Sequence, residues 1–311
     1  MNNLSSTDFK ILEQKSGLTK SHRLDGLKNE LTGIGFLLPF LIVFGVFYIW
    51  PLLRGTWISF HSWSIMGMVK YVGLNNYIRT LQNKDFYSYL WHSVYFVILS
   101  TPLLIVIGLL LAVLVNSKFH GRTTVRAIIF SPYVLSVSVV AYIWLEMLDA
   151  KRGIINVILH TFGFPREINW LTDPNLAWWA IVLTSIWWYV GFVMILYLAG
   201  LQEISPELYE AASIDGASSV KKFLHITLPS LSSVTRVQIF FQVIAGLKLF
   251  GQVQIMTNGG PGDVTRTVVQ HIYITGFRKD FFGEAAAQSI IFCLFMLLVS
   301  VLQYKFVNKR Q

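Results

Sequence analysis

Apolar residues gather in six long runs separated by polar stretches, at about residues 32 to 53, 88 to 116, 124 to 148, 177 to 201, 231 to 250 and 284 to 307. Each run reaches the roughly 20 residues that an α-helix needs to cross a hydrocarbon core about 30 Å thick. Lipid offers backbone groups no partner, so such a run must satisfy itself as a helix, and these runs are too continuous for the alternating pattern of a barrel strand. The pattern predicts an all-α membrane protein with six transmembrane helices. Pro39, Pro102 and Pro132 lie in these runs or near their ends and read as tolerated kinks.

Composition strengthens the membrane reading. The 311 residues are 54% hydrophobic and only 13% charged, against about 25% in soluble domains. So little polar surface cannot coat a soluble globule of this size, and lipid must replace water over much of it. Trp, Tyr and Phe together make 15% of the chain, as suits rings that settle at both membrane interfaces.

The net charge of +9 would raise nucleic-acid binding in a soluble chain. Here the basic residues sit mostly between apolar runs, where anionic lipid and topology account for them. Placing both termini in the cytoplasm gives 14 Lys and Arg inside and 10 outside, with Lys248 left within the fifth run; the bias favours that orientation. The polar first 30 residues leave no signal-peptide core behind Met1. Cys293, the one cysteine, lies in the last run and reads as a packed or lipid-facing thiol. The organisation expected is a cytoplasmic N-terminal segment (1–31), a membrane domain (32–307) and a cytoplasmic C-terminus (308–311).

The segment between the fourth and fifth runs, residues 201 to 231, reads as two short helices. Ser205 suits an N-cap, Pro206 the first helical position, and Glu207 the positive end of the helix dipole. Gly216 follows as a C-cap glycine, and a second helix should run from about Ala217 to Thr227, stopping before Pro229. Leu208, Ala211, Ala212 and Asp215 share one face, where small alanines let another protein come close. Such an elbow is a docking element rather than a catalytic one.

Glu210-Ala211-Ala212, then Gly216, Ile226 and Leu228-Pro229, resemble the cytoplasmic signature of the membrane subunits of binding-protein-dependent ABC importers, in that family's spacing. Met256 to Gly262 (MTNGGPG), Gly73 to Tyr77 (GLNNY) and Asn169-Trp170-Leu171 resemble further segments of its carbohydrate-importing members, so that the likeness covers about residues 32 to 307. The resemblance implies a type I importer fold in the cytoplasmic (inner) membrane of a prokaryote, with residues 203–229 as the coupling loop. Glu210, Ala211, Ala212, Asp215 and Gly216 would seat on a cytoplasmic ATPase. It also implies a second permease subunit, two ATPase subunits, an extracytoplasmic solute-binding protein, and a carbohydrate carried by alternating access. The sequence has no phosphate loop of the form G-x-x-x-x-G-K-[ST]. ATP and Mg2+ are therefore expected to be used by the ATPase partner, with no catalytic residue, cofactor or metal assigned to this chain.

Polar and aromatic residues inside spans usually face the bundle interior or a wet cavity, which makes them candidates for the substrate path. Ser185, Trp188, Tyr189 and Phe192 form one helical stripe on the fourth run; Gln238, Gln242, Ala245, Gly246 and Leu249 form another on the fifth. Both fall where the maltose-transporter membrane subunit, a carbohydrate relative, places sugar contacts. Aromatic rings can stack on a pyranose while amides and hydroxyls bond its hydroxyl groups. Lys248 either snorkels to the outer interface, the favoured reading, or lines the path and meets an acidic substrate such as a uronate-containing oligosaccharide. Alternatives are an ABC permease for a glycerol-phosphate, phosphate or polyamine, an ion-coupled carrier, and a scaffold without transport. The central spans carry almost no acidic residues, which counts against the carrier.

Overall fold

The computed structural model describes residues 34–67, 70–117, 119–165 and 167–308, with side chains to residue 305. The segment expected over 1–31 and the last three residues lie outside these, as do Lys10, Lys15, Lys20, Arg23, Lys28, Lys118, Arg166, Lys309 and Arg310 of the charge comparison. The described residues are helical, apart from turns and two isolated bridges, His61 to Tyr71 and Ser64 to Gly67.

By contact the chain divides into one unit ending at Ile58 and a second starting at Ser59. The first holds nearly all of α1 (Ile34–Ser59), whose apolar side chains are exposed along its length. Phe40, Phe44 and Tyr48 stack down one side with centroids 5.7 and 5.3 Å apart, the i, i+4 spacing of a single helix face.

The second unit contains α2 (Asn75–Gln82), α3 (Lys84–Asn116), α4 (Arg122–Phe130), α5 (Val137–Met147), α6 (Ile154–Thr161) and α7 (Ala177–Gln202). It continues with α8 (Pro206–Ile214), α9 (Ser219–Ser230), α10 (Ser232–Leu247), α11 (Val268–Tyr273) and α12 (Phe282–Asn308). Among the described residues four helices, α1, α3, α7 and α12, are each long and apolar enough to span a membrane; the pairs α4–α5 and α9–α10 raise this to six if each is one bent span. The chain is thus a multi-pass membrane protein.

α3 and α7 form the spine. Leu104, Leu109, Ala112 and Val115 of α3 interlock with Val190, Val193, Met194 and Tyr197 of α7. Without a hydrophobic drive between helices in lipid, this association rests on close van der Waals contact, which small residues permit. Gly108 of α3 shows the need, since a Cβ there would run into Val193, and Gly191 of α7 does the same against α4, where a Cβ would meet the backbone of Ile129 and Phe130.

Three expectations require correction. The single helix expected over 124 to 148 is two, bent by 103° at Leu135 and Ser136, directly after a 3-10 turn, Ser131–Val134, that contains Pro132. Proline supplies no N–H for an intrahelical bond, and Ser136 then caps α5 by accepting from the Val139 N–H. The second elbow helix does not stop before Pro229. It runs through to Ser230, because a π turn over Phe223–Thr227 precedes the proline and bonds the Leu228 N–H to the Phe223 carbonyl, giving its ring room. α10 begins only after a 62° bend at Leu231 and ends at Leu247, so Lys248 and Leu249 lie just beyond the helix predicted to hold them.

Candidate functional site: a polar hollow and a helical elbow

The elbow is built by its ends. Ser205 occupies the N-cap position with Pro206 at the first turn, though its side chain makes no capping bond. At the other end Gly216 has a φ of +70°, the Ala217 N–H reaches the Ala212 carbonyl at 2.9 Å, and the Gly216 N–H reaches Ser213 at 3.1 Å. This is the glycine-terminated helix stop expected from sequence. Two side-chain bonds brace the legs: Tyr209 Oη to Thr227 Oγ1 at 2.9 Å and Lys222 Nζ to Ser213 Oγ at 2.7 Å. Glu210, Ala211, Asp215 and Gly216 are exposed while Ala212 is half-buried. Leu208, Ile214, Val220 and Leu224 add an exposed apolar surface, with Ile214 88% exposed. Tyr209 was not singled out by the sequence, where nothing marks an aromatic residue as a brace.

Most of the path candidates come together. Ser185, Trp188 and Tyr189 of α7 meet Gln242, Ala245 and Gly246 of α10, with Lys248 and Leu249 behind them, around a hollow of about 220 Å³. α3 adds Phe96, Ser100 and Leu104, and Val137 closes the wall from α5. The Ser100 and Ser185 hydroxyls each donate 2.8 Å to the carbonyl four residues back, at Phe96 and Ile181, which leaves their lone pairs as acceptors. Trp188 donates its indole N–H to the Leu135 carbonyl at 3.2 Å and so ties α7 to the break between α4 and α5.

A second hollow of about 430 Å³ shares Tyr189, Gln242, Ala245 and Lys248 with the first and adds Phe192, Tyr133, Phe240, Phe241 and Ile244. Tyr133 stacks on Phe192 with centroids 4.9 Å apart and an interplanar angle of 14°. Gln238 belongs to neither hollow. It is 1% exposed and donates to the Val193 carbonyl at 2.8 Å, a tie between α10 and α7.

The segment between α10 and α12 covers one end of this arrangement. Asn258, Gly259, Gly262 and Asp263 all have positive φ, as the MTNGGPG stretch demands. Thr265 stitches the turn through bonds to Thr257 Oγ1 and to the Gly260 carbonyl, both 2.7 Å. Four further bonds fasten it outward: Tyr89 Oη to Asp263 (3.2 Å), His92 Nδ1 to the Arg266 carbonyl (3.0 Å), the Val268 N–H to Ser93 Oγ (3.1 Å), and Trp178 Nε1 to the Val264 carbonyl (3.0 Å). Nearby His271, 6% exposed, is held down to about 4, chiefly by burial and then by Lys279 and Arg266, against the pull of Asp85 and Asp263.

The other two motifs are anchors. Asn76 donates to the Ser59 and His61 carbonyls at 2.8 and 2.9 Å, and Trp170 donates to Asn156 at 2.7 Å. Among the described residues no group of three or more His, Cys, Asp or Glu could hold a metal.

The sequence and the fold both have relatives among known proteins. The family model described as "Binding-protein-dependent transport system inner membrane component" matches residues 77–311. The arabinooligosaccharides transport system permease protein AraP of Bacillus subtilis is 34% identical, over 87% of this chain and 86% of its own length. The trehalose/maltose transport system permease protein MalF of Thermococcus litoralis is 34% identical, over 90% and 95%. The fold is shared with a bacterial ABC transporter involved in the import of the acidic polysaccharide alginate, at a TM-score of 0.82 and 22% identity, covering 93% of this chain and 99% of that one. With helices, bent spans and matched residues in agreement, this chain belongs to the family of binding-protein-dependent transport system inner membrane components, the permeases of ABC transporters.

Proposed function

We propose that this chain forms half of the passage of an ATP-driven importer that carries a sugar or oligosaccharide across the inner membrane by alternating access. The observation that carries the reading is the pair of joined hollows, in which the rings of Trp188, Tyr189, Tyr133 and Phe192 stand beside Gln242, Ser100 and Ser185. Flat apolar faces with a few fixed polar groups are what a pyranose requires. The names of the similar permeases from Bacillus and Thermococcus support the same class of solute.

In this reading both bent pairs count as single spans, giving six, with both termini cytoplasmic. The elbow is the coupling element. Glu210, Ala211, Ala212, Asp215 and Gly216 meet a separate ATPase subunit, which uses ATP and Mg2+, and this chain has no catalytic residue. A second permease completes the passage, and a solute-binding protein delivers the sugar, in keeping with a binding-protein-dependent family. The test is uptake by proteoliposomes containing this chain, its second permease and its ATPase. Saccharide should accumulate only with internal ATP and external binding protein. Uptake that persists without nucleotide, or a complex that moves no saccharide, would overturn the reading.

A further inference from the structure

Lys248 is the sole charged side chain among the described residues that line the two hollows, and it lies on both. It is exposed, and no ion pair joins it to an acidic side chain among the described residues. Its surroundings separate two roles for that charge. Tyr189 and Gln242 line both hollows with it, and Trp188 lines the smaller one, so the side chain borders the cavity rather than lipid. A stem that finds polar company in the cavity does not depend on a headgroup. An ammonium beside a wet cavity is tolerated, and it marks a function with a partner to be named.

We infer that the partner is an acidic group on the transported solute: Lys248 selects an anionic saccharide, whose carboxylate or phosphate it meets while Trp188, Tyr189 and Phe192 hold the ring faces. No carboxylate among the described residues lines either hollow to repel that group, and Gln242, shared by both, can donate to it alongside the lysine. A neutral sugar answers the ammonium only with hydroxyl dipoles, whereas an anion answers it with a charge-assisted bond. The inference rests on the sugar-importer reading and goes one step past it.

The test uses the complete reconstituted complex with its binding protein. ATPase stimulation and uptake are measured with a uronic-acid trisaccharide, the same trisaccharide with its carboxyls reduced to alcohols, a sugar phosphate, and glycerol phosphate. Lys248, Lys248→Arg and Lys248→Met complexes are compared. Stimulation by the uronate or the sugar phosphate, a loss of about tenfold in Lys248→Met, and recovery in Lys248→Arg are expected. The arginine variant separates loss of charge from loss of folding. The inference falls if the reduced trisaccharide works as well as the acidic one, or if Lys248→Met treats the acidic solutes as the parent does. In either case the sugar reading survives. If glycerol phosphate alone is carried, or no saccharide stimulates at all, both fall together.

Discussion

Tyr209 and Thr227, eighteen residues apart, face each other across the elbow with their hydroxyl oxygens 2.9 Å apart. This bond fixes the angle between α8 and α9, and therefore the attitude in which Glu210 and Asp215 are presented. Replacing Tyr209 with Phe should remove about 1 kcal/mol of local bracing. Uptake per ATP hydrolysed is expected to fall while the complex still assembles. An unchanged ratio in proteoliposomes would show that the brace is idle.

Gly216→Ala should act on the same element through the backbone. A φ of +70° strains any L side chain, by about 1 kcal/mol for alanine, although a Cβ there meets no neighbour within 4 Å. Solute-stimulated ATPase should drop with little change in thermal stability of the isolated subunit. Glu210→Lys, an exposed charge reversal, is expected to weaken assembly with the ATPase more severely, as measured by co-purification.

Gln238 and Gln242 sit four residues apart on one helix yet should behave differently. Gln238→Leu removes a second bond to the Val193 carbonyl, which keeps its intrahelical partner, and is expected to destabilise the subunit by about 1 kcal/mol, with solute preference intact. Gln242→Leu should instead raise the KM for uptake several-fold at near-constant stability. Thermal unfolding in detergent and transport kinetics on both variants distinguish the two.

Gly191→Ala places a methyl against the backbone of Ile129 and Phe130, where no rotamer change can relieve it. Overpacking of this kind costs about 1 to 3 kcal/mol. A lowered unfolding temperature is expected; a temperature equal to that of the parent would refute the tight crossing of α7 and α4.

His271 gives a pH dependence with a defined sign. Its imidazole takes up a proton near 6.5 when the chain is unfolded but only at about 4 in the fold. Between these values the unfolded state binds more protons, so stability should be level above about pH 6.5 and decline as pH falls towards 4. In His271→Gln the decline should be shallower across that window.

Much of this was legible in the chain because lipid leaves few options. Long apolar runs had to be helices, and Pro206 and Gly216 announced both ends of the elbow helix. The gap before the fifth run was legible to within a few residues of the bend at Leu231, but the break after Pro132 was not, since a proline in a membrane helix produces a slight kink or a full bend according to what neighbouring helices supply. Here Trp188 supplies an N–H to the Leu135 carbonyl at the break. The stripe rule named Gln238 and Gln242 together because a helical face is broad, and only the position of Val193 tells a tie from a lining group. Ser100, Tyr133 and Phe240 escaped notice for the opposite reason: each lies on a segment whose orientation depends on crossings between helices rather than on its own period.

The four bonds that clasp the segment after α10 to Tyr89, His92, Ser93 and Trp178 have a mechanical meaning. They weld the adjoining ends of α3 and α7 to that segment, so these parts turn as one lever. The bend at Leu231 lies outside that clasp and directly follows the elbow. In the proposed coupling role, a push on the elbow therefore runs along the chain straight into α10, the helix that carries Gln242 and ends beside Lys248.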